Sequence, residues 1–187
     1  MLQRFLPSSR RDFNSLSEQE ILALAISSEE DDARIYLAYA DGLREDYPAS
    51  AKVFEEMAEE ETTHRARLID LHKKRFGDRI PLIRRDHVRG YYERKPDWLV
   101  RPLGVEKVRA QAAAMEAQAH RFYLRAAQQC EDADTRKLLG ELALAEAGHE
   151  AKAEKLEEKH LPEEVRSAED AVERRQFILT YVQPGLA

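Results

Sequence analysis

Four stretches of the chain place their apolar residues three or four positions apart, the period at which one face of an α-helix turns toward a core. The first stripe runs Leu22, Ile26, Glu29, Ala33, Tyr36, Ala40 and Leu43, and the second Met57, Glu61, His64, Leu68 and Leu71. The third aligns Glu116, His120, Tyr123 and Ala127, and the fourth Leu139, Leu142, Glu146, His149, Ala153 and Leu156. Boundary signals agree with these stripes. Ser17-Glu18-Gln19-Glu20 is a capping box that starts a helix near Glu18, and Pro48 stops that helix near Glu45. Pro48 itself suits the first turn of a second helix, which Gly77 closes after Phe76. A third helix fits residues 104–130. Asp132 or Asp134 caps a fourth, which continues to His160 and ends before Pro162. A shorter helix over residues 163–182 is expected beyond it.

Each stripe is interrupted by acids and imidazoles at core positions. Glu61-Thr62-Thr63-His64 and Glu146-Ala147-Gly148-His149 both set a Glu and a His one turn apart on the inward face. Each is preceded by a Glu with a Tyr seven positions later, Glu29…Tyr36 and Glu116…Tyr123, so the chain states one two-helix unit twice. Four carboxylates meeting in a core repel one another, and their pKa values rise until some are neutral. Two divalent cations remove that penalty. Oxygen and imidazole donors suit iron or manganese and are acceptable to zinc. A four-helix bundle that offers one Glu from each of two helices and Glu-x-x-His from each of the others holds a di-iron pair in this way. The expected ligands are therefore Glu29, Glu61, His64, Glu116, Glu146 and His149.

Other polar residues are placed with less force. A third Glu-x-x-His, Glu157…His160, adjoins Leu161-Pro162 at a helix end, lacks an upstream Glu and Tyr, and reads as surface. Glu30 competes with Glu29 for the first-helix position, which the step to Tyr36 assigns to Glu29. His120 can be a ligand, a core histidine, or a neighbour that hydrogen-bonds a ligand, and the last is favoured. Tyr36 and Tyr123 are packing residues that can also give a hydrogen bond or an electron to the metal pair. Glu56, Glu59 and Glu60 read as a solvated face, and Cys130 as incidental.

At 187 residues the chain is sized for one domain, and its seven glycines and seven prolines leave room for long helices. A net charge of -6 argues against a general nucleic-acid binder. One cysteine excludes an internal disulfide and points to a reducing compartment. No signal-peptide pattern opens the chain, and no run reaches the roughly 18 apolar residues that span a bilayer. Residues 77–103 show no clear period and carry Arg79, Arg84, Arg85, Arg89, Arg94, Lys95 and Arg101 around Tyr91, Tyr92 and Trp98. A bundle whose second and third helices run parallel needs one long crossover, and this segment supplies it. Its arginines form either a solvated connector or a basic surface for an anionic partner or lipid headgroups. The expected architecture is all-α: an N-terminal segment (1–17), a four-helix bundle (18–160) and an additional C-terminal helix (161–187).

Across residues 18–160 the two halves, Glu29…Glu61-x-x-His64 and Glu116…Glu146-x-x-His149, resemble the rubrerythrin branch of the ferritin-like superfamily. Two departures stand out. Paired Cys-x-x-Cys motifs are missing, so the electron-transfer iron of a rubredoxin module is not expected, and Ala119 stands where rubrerythrins often place a further carboxylate. Ile80-Pro81-Leu82-Ile83-Arg84-Arg85, Arg101-Pro102-Leu103-Gly104 and the ending Tyr181-Val182-Gln183-Pro184-Gly185-Leu186-Ala187 look more specifically like the cytoplasmic ferritin-like domain of bacterial membrane-bound ferritins. That resemblance implies two iron ions, with Glu61 and Glu146 bridging, Glu29 and His64 completing one ion, and Glu116 and His149 the other. It further implies Fe(II) and dioxygen or hydrogen peroxide as reactants. The chain would sit at the cytoplasmic face of the inner membrane, continue into an iron-exporting transporter domain, and guard against iron and peroxide stress. A peroxide reductase with an external electron donor and a non-enzymatic iron-sensing or oligomerising module are the alternatives. The long crossover also permits helix exchange, so a homodimer with shared sites is a further expectation.

Overall fold

A computed structural model describes residues 10–89 and 104–157, with side chains as far as His149. Four long helices form the body: α1 (Glu18–Leu43), α2 (Pro48–Phe76), α3 (Val105–Gln129) and α4 (Ala133–Glu157). Each begins or ends where a local signal directs it. The Ser17 hydroxyl accepts from the Glu20 amide while the Glu20 carboxylate accepts from the Ser17 amide at 2.9 Å, closing the capping box of α1. Of the two candidate caps of α4, Asp132 is the one used, its Oδ1 accepting from the Thr135 amide at 2.8 Å. Pro48 occupies the first turn of α2, and Gly77 leaves it at φ 79°, a conformation that glycine adopts without steric cost. The first helix stops at Leu43, slightly short of the expected Glu45, because the chain must turn through 44–46 before Pro48.

Short connections make α1 antiparallel to α2 and α3 antiparallel to α4, and these two hairpins pack over most of their length. The hairpins meet through α1 against α3 and α2 against α4. Pairing of Tyr36 with Glu116 and of Tyr123 with Glu29 runs α1 and α3 antiparallel, which sets α2 and α3 parallel and makes a crossover obligatory. The first half of that crossover is largely irregular, as its sequence suggests, but it is tied along α1 by hydrogen bonds. Gln19 donates to the Arg79 carbonyl at 3.3 Å, Ser27 to the Ile83 carbonyl at 2.9 Å, and Arg85 to the Ser28 carbonyl at 3.0 Å and to Asp32 at 3.1 Å. Arg85 is thus a structural tie and not part of a free basic surface. Two residue pairs, Arg11↔Val88 and Asp12↔Arg89, join the N-terminal segment to the crossover as a minimal parallel ladder, β1 (Arg11–Asp12) and β2 (Val88–Arg89). Arg94, Lys95, Arg101, Tyr91, Tyr92 and Trp98, the expected C-terminal helix and His160 lie outside the described residues.

The core divides into two apolar clusters. One gathers Phe13, Leu22, Ile26, Leu68, Phe122, Leu139 and Leu142, and the other Tyr39, Phe54, Met57, Val108, Ala112 and Met115. Between them, on all four helices, lies a buried polar layer.

Candidate metal centre

The polar layer consists of Glu29 from α1, Glu61 and His64 from α2, Glu116 from α3, and Glu146 and His149 from α4, each no more than 7% exposed. The heptad-like stripes explain the placement, since each residue takes a position that an apolar side chain would otherwise fill. Two sets of donor atoms converge. Glu29, Glu61, His64 and Glu146 form one, and Glu61, Glu116, Glu146 and His149 the other, with every donor within 4.8 Å of the rest of its set. Glu61 and Glu146 belong to both. The two imidazoles lie 5.7 Å apart with nearly parallel rings.

Two features fit this cluster to metal ions. His64 Nδ1 stands 3.3 Å from Glu146 and 3.5 Å from both Glu29 and Glu61, and His149 Nδ1 stands 3.3 Å from Glu116 and 3.5 Å from Glu61. Donors each about 2.1 Å from a shared ion, at right angles, stand about 3 Å apart. In addition, His64 Nδ1, His149 Nδ1, Glu29 Oε2, Glu116 Oε2 and Glu146 Oε1 are buried without a hydrogen-bond partner. Leaving such atoms unsatisfied is costly, and five in one layer mark a place where something else is held.

Electrostatics point the same way. Burial, reinforced by the charge of Glu61, pushes the Glu29 and Glu146 carboxyls well above the usual carboxylate range. Burial also opposes ionisation of Glu61, but Glu29, His149 and His64 outweigh it and hold this group below its ordinary value. For the imidazoles, burial favours the neutral form, yet the surrounding carboxylates win and raise His64 to about 12 and His149 to about 10. In the absence of cations, the layer lowers its buried negative charge by holding protons.

Tyr36 and Tyr123 are more than packing residues. The Tyr36 hydroxyl donates to Glu116 Oε1 and the Tyr123 hydroxyl to Glu29 Oε1, each reaching across from the opposite hairpin. Glu30 is no alternative to Glu29, because it faces solvent and pairs with Arg65 at 3.3 Å and Arg34 at 3.8 Å. One turn from Glu116, His120 belongs to neither donor set: its Nδ1 contacts the Ala143 carbonyl at 2.6 Å and ties α3 to α4. Glu56 and Glu59 are exposed as expected, but Glu60 is not simply solvated. Its carboxylate bonds His149 Nε2, the ring nitrogen facing away from the cluster. The sequence signal was slight, a third acid directly before a stripe residue. Glu56, Glu59, Glu60, Thr63 and His64 line a solvent-open cavity of about 360 Å³, in whose wall His64 is the one residue of the layer. Cys130 is buried, and burial raises its thiol to about 11, so it is neither a nucleophile nor a donor to the cluster.

Comparison with known proteins adds the lineage. A solved structure of a hypothetical protein from Pyrococcus furiosus is similar, with 23% identity, a TM-score of 0.61, and alignment over 78% of this chain and 91% of that one. At this identity the likeness speaks for the shared bundle fold. No curated protein matched the chain. The family model described as Rubrerythrin matches residues 20–157, a span that takes in all four helices and all six clustered side chains. The chain belongs to the rubrerythrin family.

Proposed function

We propose that this protein binds two iron ions in the polar layer and uses them to capture and oxidise Fe(II). In this reading Glu61 and Glu146 would serve both ions, Glu29 and His64 would hold one, and Glu116 and His149 the other. The observation that carries it is the sharing of Glu61 and Glu146 between two donor sets whose remaining buried atoms lack partners. When bound, a di-iron pair supplies the redox chemistry that couples Fe(II) oxidation to reduction of dioxygen or peroxide. The chain supplies the rest. Tyr36 and Tyr123 orient the terminal carboxylates, the two apolar clusters keep bulk water from the layer, and the acidic cavity beside His64 attracts cations toward it.

The wider role in this proposal is that of the cytoplasmic part of an inner-membrane iron exporter that limits iron and peroxide stress. It rests on the sequence likeness at residues 80–85, 101–104 and 181–187. Among the described residues no helix is long and apolar enough to cross a membrane, so any membrane portion belongs to another segment.

Anaerobic titration with Fe(II) tests the site. Saturation near two ions per chain is expected, with Glu61→Ala or Glu146→Ala abolishing the binding of at least one. Unchanged binding in both variants would overturn the assignment. Oxygen-driven Fe(II) oxidation then separates the roles. Turnover of peroxide with an external reductase beyond the iron supplied gives a peroxide reductase, and binding without accelerated oxidation gives a sensor.

A further inference from the structure

The two halves of the layer differ in one residue. Glu60 precedes Glu61 on α2, and its carboxylate accepts from His149 Nε2 on α4. The internal repeat that sets Glu61…His64 against Glu146…His149 sets Glu60 against Ala145. An alanine cannot return the contact. The carboxylates around His64 all stand on its Nδ1, and among the described residues none stands on its Nε2.

This difference has a chemical consequence. A neutral imidazole binds metal through one nitrogen and carries its proton on the other, and a carboxylate on the protonated nitrogen fixes both the tautomer and the ring plane. The same anion makes the metal-facing nitrogen a stronger donor. His149 has this support and points Nδ1 at Glu61 and Glu116, whereas His64 faces carboxylates through Nδ1 only, with none among the described residues on its Nε2. Access is unequal in the same sense. The His149 side chain is 2% exposed and that of His64 9%, and the cavity opens onto His64.

Resting on the di-metal reading above, we propose that Glu60 is a positioning residue for His149, so that the ion held by Glu116 and His149 is the resident one and the ion held by Glu29 and His64 exchanges through the cavity. The bland account, a half-exposed ion pair between α2 and α4, is worth little and touches only stability.

Titration of the purified protein with Co(II) against a chromophoric chelator distinguishes the two. Wild type is expected to bind in two unequal steps. Glu60→Ala weakens the tighter step by about 10- to 100-fold and leaves the weaker one alone, while Glu60→Gln, which keeps an acceptor without the charge, falls between. Because the effect runs through one ring, it disappears in a His149→Ala background and persists in His64→Ala. The proposal is overturned if Glu60→Ala leaves both steps unchanged, weakens both equally, or acts undiminished without His149. A wild-type protein that takes up no Co(II) at all would instead remove the di-metal reading beneath it.

Discussion

At the scale of single residues, the tyrosines decide which carboxylate oxygen is free. Each hydroxyl takes Oε1 of its glutamate, and in both Glu29 and Glu116 it is the other oxygen, Oε2, that is buried without a partner. A carboxylate pinned at one oxygen loses little freedom on binding an ion with the other, which is the usual benefit of an oriented ligand. Tyr123→Phe is therefore expected to weaken metal binding about tenfold in the Fe(II) or Co(II) titration, and to cost about 1–3 kcal/mol of stability by stranding Glu29 Oε1. Glu29→Gln should weaken it further, and Glu30→Gln should leave it unchanged. Equal losses from Glu29→Gln and Glu30→Gln would contradict the assignment. The Glu29…Tyr36 and Glu116…Tyr123 spacings are plain in the sequence, but the exchange of partners between them is not. It depends on α1 lying antiparallel to α3. Glu60 escapes for a related reason: about 100° around the helix from Glu61, it reads as solvent-facing until α4 brings His149 to it.

At the scale of elements, the bundle is closed at its ends by polar ties. Arg75 near the end of α2 reaches Glu18 of α1, Asp132 at 3.3 Å and Thr135 at 2.6 Å, joining three helix termini. At the other end, buried Arg109 of α3 donates to Ser50 of α2 at 2.8 Å. The start of α1 is held twice over, because Glu20 closes the capping box and also accepts from Arg11, so that its pKa falls to about 2. A folded-state pKa depressed in this way contributes stability that is complete above the unfolded value and is lost as pH falls toward the folded one. Ser17→Ala should cost about 1 kcal/mol in urea denaturation at neutral pH. The difference between wild type and Glu20→Gln should shrink as pH falls from about 4.5 toward about 2, since a protonated Glu20 and the glutamine that replaces it are then electrostatically alike. A difference that grows with acidity would reverse the sign and refute the argument. Helix starts were legible because serine, aspartate and proline act through the backbone beside them. The ladder of β1 and β2 was not, because two residue pairs separated by the whole first hairpin leave no local period.

At the scale of the molecule, the fold is one helical hairpin used twice, with a layer of acids and imidazoles between two apolar clusters. This much was readable, since the repeat of Glu, Tyr and Glu-x-x-His fixes which faces turn inward and the parallel relation of α2 and α3 demands a crossover. Its route along α1 was hidden, because it rests on backbone carbonyls of residues 79 and 83 and on Arg85, none of which announces itself by type. The layer also sets the terms on which metal enters. Burial holds the Glu29 and Glu146 carboxyls well above the carboxylate range, and the surrounding carboxylates raise His64 and His149 to about 12 and about 10, so the metal-free layer retains protons that exposed groups would lose. Two divalent ions bring four positive charges to the same buried volume, and the protons must leave as they bind. Loading the site at about pH 7 is thus expected to release protons, with affinity falling as pH drops because protons compete for the same donors. Calorimetry with Zn(II) or Fe(II) in buffers of different ionisation enthalpy gives the number directly from the slope of heat against that enthalpy. Release near zero would mean that the ions bind outside the layer, among exposed acids already ionised.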